Sequence, residues 1–199
     1  MKKALFALLA VLFLAGTSHA LTILDFEGIP DDFLYFGGDQ NLGNYYAGVT
    51  FGPDATILDA QRYGYNSTGY PPHSGDAVLF SDAIDHIRVD FDNATNHAEL
   101  WYTASSSGLY LEAYDSNDNM LTSDYGAGNS GSNDFLEVNT ADFDIAYVII
   151  HDSGNFFTID DFGWEESGGG NPIPEPTTIL LMASGLLGMG GLARFRKRS

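Results

Sequence analysis

The groups best suited to chemistry in this 199-residue chain are oxygen donors, with 27 Asp and Glu against 8 Lys and Arg and a formal charge of −19. Two acidic pairs stand out by position. Asp25 and Glu27 alternate with Leu24 and Phe26 in the first strand-like run, Thr22–Glu27, so the two acids share one face. Asp160 and Asp161 lie in the last run, between Ile159 and Phe162. Both flanking residues read as core although they are three apart, which strict alternation forbids, so a β-bulge is expected at Asp160-Asp161. A bulge also exposes backbone carbonyls beside two carboxylates. Calcium takes about six to eight such oxygens. Asp25, Glu27, Asp160 and Asp161 are therefore the expected calcium ligands if the terminal strands are neighbours, with solvated strand-edge charge as the alternative.

A second group is aromatic. Tyr63, Tyr65 and Tyr70 fall in a polar, Gly-rich stretch beside Arg62. A tyrosine pairs an apolar ring with a hydroxyl, which suits stacking on a sugar face while bonding its rim; packing of the loop onto the fold is the alternative. Trp101 and Tyr102 occupy opposite faces of one strand, and the sequence leaves open which is core. Catalytic patterns are weak. His73, His86, His97 and His151 show no His-x-His or His-Glu-x-x-His spacing for zinc. Pro72-His73-Ser74-Gly75-Asp76 holds triad residue types as chain neighbours, which reads as a turn, because triads are assembled in space. Asp115-x-Asn117-x-Asn119 begins like an EF-hand loop, but Met120 replaces the required Gly and Gly126 the required Glu, so a hairpin turn is expected.

The elements that position these groups read as strands. Runs at Thr22–Glu27, Tyr46–Phe51, Thr56–Ala60, Ala77–Ser81, Ile87–Phe91, Glu99–Thr103, Gly108–Tyr114, Met120–Ser123, Phe135–Val138, Tyr147–His151 and Phe156–Trp164 are rich in Val, Ile, Tyr and Phe. Gly, Asn, Asp and Pro punctuate them. Hairpins are expected across Asp92–Asn96 and across Asp115–Asn119. The fold class is all-β, a two-sheet jelly-roll sandwich over residues 21–167. Within that span 26 carboxylates face only Arg62 and Arg88, a formal charge of −24, which disfavours nucleic acid and anionic membrane surfaces as partners. The chain has no Cys, which excludes disulfides, thiolate metal sites and cysteine nucleophiles.

The two ends carry addresses. Met1-Lys2-Lys3, the apolar Ala4–Ala15 and Ser18-His19-Ala20 form a signal peptide over 1–20, a substrate for signal peptidase. At the other end a linker over 168–173 leads to Pro174-Glu175-Pro176, then an apolar transmembrane helix at about 177–195, then the basic tail of Arg194, Arg196, Lys197 and Arg198. Motif, span and tail in this order at 174–199 closely resemble the PEP-CTERM sorting signal of Gram-negative, exopolysaccharide-producing bacteria. The resemblance implies processing by an exosortase near the Pro-Glu-Pro motif, after transient anchoring.

The exported part resembles jelly-roll modules related to galactose-binding-like and carbohydrate-binding domains. The residues that carry it are Asp25-Phe26-Glu27, Leu111-Glu112-Ala113-Tyr114-Asp115 and Ile159-Asp160-Asp161-Phe162. That resemblance implies a structural calcium near the first and last strands, and in some members sugar binding. The expected function is a non-enzymatic surface or extracellular-matrix protein that binds polysaccharide. A secreted carbohydrate-active enzyme and a ligand-free coat protein are the alternatives.

Overall fold

The computed structural model describes residues 20–166 apart from 37, 39, 83–85, 106 and 155. The expected signal peptide, linker, Pro-Glu-Pro motif, apolar span and basic tail lie outside the described residues. Among the described residues no helix is long and apolar enough to cross a membrane.

Each of the eleven expected runs is a strand: β1 Leu21–Leu24, β2 Val49–Phe51, β3 Ala55–Asp59, β4 Ala77–Ser81, β5 His86–Thr95 and β6 His97–Ala104, followed by β7 Leu109–Tyr114, β8 Met120–Gly126, β9 Asp134–Asn139, β10 Ile145–His151 and β11 Phe157–Glu165. They form two antiparallel sheets packed as a jelly-roll sandwich. The first has the order β3-β4-β11-β6-β9, with β1 also paired to β11; the second has the order β2-β5-β10-β7-β8. The core lies between them because alternate residues of each strand turn inward. Leu79, Leu100, Tyr102 and Ile159 come from the first sheet, and Val89, Leu111, Val148 and Ile150 from the second, all essentially inaccessible to solvent. At one end of the core Phe51, Phe91 and Trp164 surround Phe162 at ring-centroid distances of 6.0–6.3 Å.

The pairing of β1 with β11 makes the terminal strands neighbours, with Leu21 opposite Glu165 and Leu24 opposite Phe162. The bulge is present: the β6–β11 register shifts between Asp160 and Gly163, and Asp161 has a φ of 46°. The expected hairpin across Asp115–Asn119 is formed. Asp118 adopts a φ of 62°, and the Asp115 carboxylate accepts the Asn117 and Asn119 amides.

Two expectations are corrected. The segment Asp92–Asn96 does not close a hairpin, because β5 pairs with β2 and β10 while β6 pairs with β11 and β9. The apolar residues of β5 and β6 instead face each other across the core, and the chain crosses between sheets at Asn96. The first strand also ends at Leu24, not Glu27, because Phe26 turns left-handed at a φ of 58° and drops its ring into the core. Asp25 and Glu27 therefore do not share a strand face. Tyr102 is the core member of its pair, and half-buried Trp101 lies on the outer face of the first sheet.

Candidate functional site

The outer face of the second sheet gathers aromatic and polar side chains into rows that cross the strands. On β7 the core takes Leu109, Leu111 and Ala113, so Tyr110, Glu112 and Tyr114 point outward. Register does the rest. Tyr110 stands opposite Tyr125 of β8 and His151 of β10, and Tyr114 opposite Tyr147 of β10. Tyr110 contacts Tyr125 at 4.6 Å between centroids and stacks on His151 at 5.2 Å. The second row stacks Tyr114 on Tyr147 at 5.0 Å, with the Arg88 guanidinium 3.6 Å from the Tyr147 centroid. The rows are four residues apart along β7, or about 13 Å at a strand rise of about 3.4 Å.

Between the rows lies Glu112, opposite Ser123 on one side and Ile149 on the other. It accepts a 2.6 Å hydrogen bond from the Tyr114 hydroxyl and lies 3.4 Å from His151 Nε2. That bond, ahead of burial, pushes the Tyr114 hydroxyl pKa up to about 12, so Tyr114 stays a neutral donor. Arg88 is held by Asp90 at 2.6 Å, and this hydrogen bond is the main cause raising its pKa despite burial. Tyr147 is almost fully buried, whereas Tyr110 and Tyr125 are 42% and 51% exposed. The exposed rings and the polar groups beside them can meet a ligand that has apolar faces and hydroxyl rims.

The expected tyrosines lie on the chain between β3 and β4, at the outer face of the first sheet. Tyr65 and Tyr70 line a pocket of about 250 Å³ with Tyr35, Phe80 and Phe156. Exposed Tyr63 is not part of that lining. Leu58, Phe80 and Thr158 of β3, β4 and β11 form the pocket's side toward the sheet. The chain between β3 and β4 lies over this outer face. His73 stacks on Trp101 at 3.7 Å with an interplanar angle of 4°.

Asp160, Asp161 and Glu27 anchor that covering segment. Buried Asp160 accepts the amides of His73 and Ser74 at Oδ2 and of Asp161 at Oδ1. Burial raises its pKa from 3.8 to about 6, against the lowering effect of these amides. Asp161 receives the Ser74 hydroxyl at 2.8 Å and lies 2.6 Å from His73 Nδ1. Both His73 and Ser74 thus bond the same aspartate and not each other, which is not the relay of a nucleophilic triad. Glu27 Oε1 accepts the amides of Asp76 and Ala77. Gly75, at a φ of 51°, packs against Glu27 so closely that a β-carbon there would collide with it.

Among the described residues the four expected calcium ligands do not form a group of three whose oxygens could share one metal ion. The Tyr65 hydroxyl is buried without a hydrogen-bond partner among the described residues. Burial raises its pKa first, and the charges of Asp160, Asp59, Asp76 and Glu27 raise it further. Of the four expected ligands, Glu27 and Asp160 are drawn to the segment His73–Ala77. Asp161 directs both oxygens to side chains of that segment, and Asp25 is exposed with Oδ1 on the Glu27 amide.

Residues 172–198 match the PEP-CTERM protein-sorting motif, which implies export and surface sorting. No curated protein sequence matches the chain. Among solved structures the chain is similar to the K2 cleaved adhesin domain of Lys-gingipain, with TM-score 0.49 and 10% identity over 74% of this chain and 99% of that one. The K1 cleaved adhesin domain of Lys-gingipain from Porphyromonas gingivalis W83 gives 0.42 and 14%, over 75% and 99%. The CBM22-1 xylan-binding domain from Paenibacillus barcinonensis gives 0.39 and 10%, over 76% and 97%. These are adhesin and carbohydrate-binding domains of β-sandwich outline.

Proposed function

We propose that the chain is an exported, non-enzymatic binding module for extracellular polysaccharide, sorted to the surface of a Gram-negative bacterium by an exosortase. The observation that carries the binding is the exposed face of the second sheet, where Tyr110 and Tyr125 stand beside His151 and Glu112, with Arg88 in the second row. Tyrosine rings cover the apolar faces of sugars, and the polar groups between the rows receive their hydroxyls. Rows about 13 Å apart reach beyond a single sugar ring, so the ligand is a chain. Tyr65 and Tyr70, in their pocket on the other sheet, offer a second contact, and Tyr63 stands exposed on the same segment.

Affinity electrophoresis against exopolysaccharide and a panel of neutral glycans tests this. Tyr110→Ala with Tyr125→Ala should weaken retention by at least about tenfold, or about 1.4 kcal/mol, without loss of fold, because both side chains are exposed. Tyr70→Ala separates the pocket's contribution. Full retention by both variants would sink the binding proposal, and shortening of the glycan during the assay would favour the carbohydrate-active enzyme.

Calcium belongs to the same proposal, with Glu27 and Asp160 as ligands and Asp25 and Asp161 beside them. Its contribution would be structural, joining the turn after the first strand and the bulge of the last strand to the covering segment. At 100 times its dissociation constant it should add about 2.7 kcal/mol if it binds only the folded state. Millimolar calcium should therefore raise the melting temperature at fixed ionic strength, and Glu27→Gln should remove most of the gain. If magnesium or sodium chloride gives the same rise, the acids form only a diffuse charged surface.

A further inference from the structure

A different set of ligands sits on the outer face of the first sheet, on β6 and β9. His97 and Glu99 are two residues apart on β6 and point the same way, because Ala98 and Leu100 take the core. Glu137 of β9 stands directly opposite Glu99. The imidazole nitrogen of His97 and carboxylate oxygens of Glu99 and Glu137 all lie within 4.8 Å of one another. Like charges facing each other across a ladder destabilise a sheet, so this placement calls for a compensating cation.

The contacts of His97 fit the outer shell of a metal ligand. His97 Nδ1 is 2.7 Å from Asn139 Oδ1, an atom that can only accept, so Nδ1 carries the proton. Nε2 lies 2.9 Å from Glu99 Oε2, a contact that a ring proton closes as an ion pair and that a metal between the two atoms would replace. A histidine that donates one ring N–H to a neighbouring oxygen and turns the other nitrogen toward carboxylates has the second-shell arrangement of a metal ligand. A protonated ring would supply one positive charge against two carboxylates, with Glu165 adding to the negative field. A divalent ion balances both. Space is reserved for the ligand as well: Gly163 pairs with Glu99, and a β-carbon there would lie 2.9 Å from Glu99 Cγ.

We propose that His97, Glu99 and Glu137 bind a divalent transition-metal cation of the zinc class on the outer face of the first sheet. Imidazole nitrogen with two carboxylates suits zinc better than calcium or magnesium, which prefer oxygen throughout. Three protein ligands leave an open position. Glu137 is exposed, so that position faces solvent. The site is separate in residues and in ligand chemistry from the oxygen-rich corner at Glu27 and Asp160.

The test is zinc titration by calorimetry into the chelator-treated full chain, held in a mild detergent with millimolar calcium present. The expected result is one zinc per chain, with His97→Ala abolishing it and Glu137→Gln weakening it at least about tenfold. Asn139→Ala, which removes only the outer-shell acceptor, should cost about 10–100-fold. Cobalt in place of zinc should give visible absorption bands that disappear in Glu137→Gln. Zinc affinity unchanged in His97→Ala and Glu137→Gln, or equal competition by magnesium, overturns the site in favour of a simple His97–Glu99 ion pair. Should His97→Ala fail to fold, Glu137→Gln decides the matter, because its side chain is exposed.

Discussion

Replacing Asp160 with alanine is expected to lower the domain's stability by on the order of 4 kcal/mol at pH 4 in the presence of a chelator, since each stranded buried donor costs about 1–3 kcal/mol. Three backbone donors converge on this carboxyl: the amides of His73, Ser74 and Asp161. Two of them belong to the segment that covers the outer face of the first sheet, and the third fixes the bulge of β11. At about 2–4 °C per kcal/mol for a domain of this size, the melting temperature should fall by roughly 8–16 °C. Tyr65 and Tyr70 ride on the same covering segment, so their pocket should loosen with it. Thermal scans of wild type and variant at equal ionic strength provide the measurement. A change below about 1 kcal/mol, within the range of ordinary surface substitutions, would show that Asp160 does not anchor the segment.

The same carboxyl makes that loss depend on pH. Its pKa is raised in the folded state from 3.8 to about 6, so between these values the folded state binds the proton and the unfolded chain does not. Stability from this group is therefore fully present below pH 3.8 and is lost as pH rises through about 6. A shift of this size corresponds to about 3 kcal/mol at about 1.36 kcal/mol per unit. Alanine carries no such burden. The gap between wild type and Asp160→Ala should thus be about 2 kcal/mol smaller at pH 7 than at pH 4. Calcium should hold the acid ionised and flatten this dependence.

How much of this was legible follows the range of the interactions. Strand positions are written locally, in alternation and turn residues, and all eleven runs are strands. The bulge was legible too, because Ile159 and Phe162 cannot both face the core without one. The left-handed Phe26 was not, since only its burial against Tyr46 and Phe51 explains it. Asn96 has turn chemistry whether the chain reverses within a sheet or crosses to the other, so the false hairpin had no local correction.

The candidate sites divide in the same way. Alternation of Tyr110, Glu112 and Tyr114 is visible in the chain, and the β7–β8 hairpin brings Tyr125 opposite Tyr110. Tyr147 and His151 join only because β10 inserts between β5 and β7. Tyr65 and Tyr70 share a pocket, but its other walls come from Tyr35, Phe80 and Phe156 in separate segments. His97-x-Glu99 is a same-face pair in any strand, yet Glu137 becomes its neighbour only through the β6–β9 register.

The largest effect on the protein's fate should come from three residues beyond the folded domain. Changing Pro174, Glu175 and Pro176 to alanine is expected to abolish processing, leaving the whole chain in the cytoplasmic membrane. Proline fixes φ and disfavours helix at the residue before it, so under the proposed sorting the two prolines favour an extended recognition segment. Alanine is the best helix former and removes both that geometry and the carboxylate. The apolar run after the motif is unchanged in this variant. Ile179–Phe195 is a 17-residue, Gly-rich run that is apolar apart from Arg194. In the proposed sorting that run is the temporary stop, and Arg194, Arg196, Lys197 and Arg198 are the charges that resist translocation. Wild type recovered from the cell surface should therefore have lost Arg196–Ser199 by intact mass, whereas the alanine variant should retain them in the membrane fraction. Surface-located wild type that still carries those four residues would overturn the sorting mechanism, whatever the domain binds.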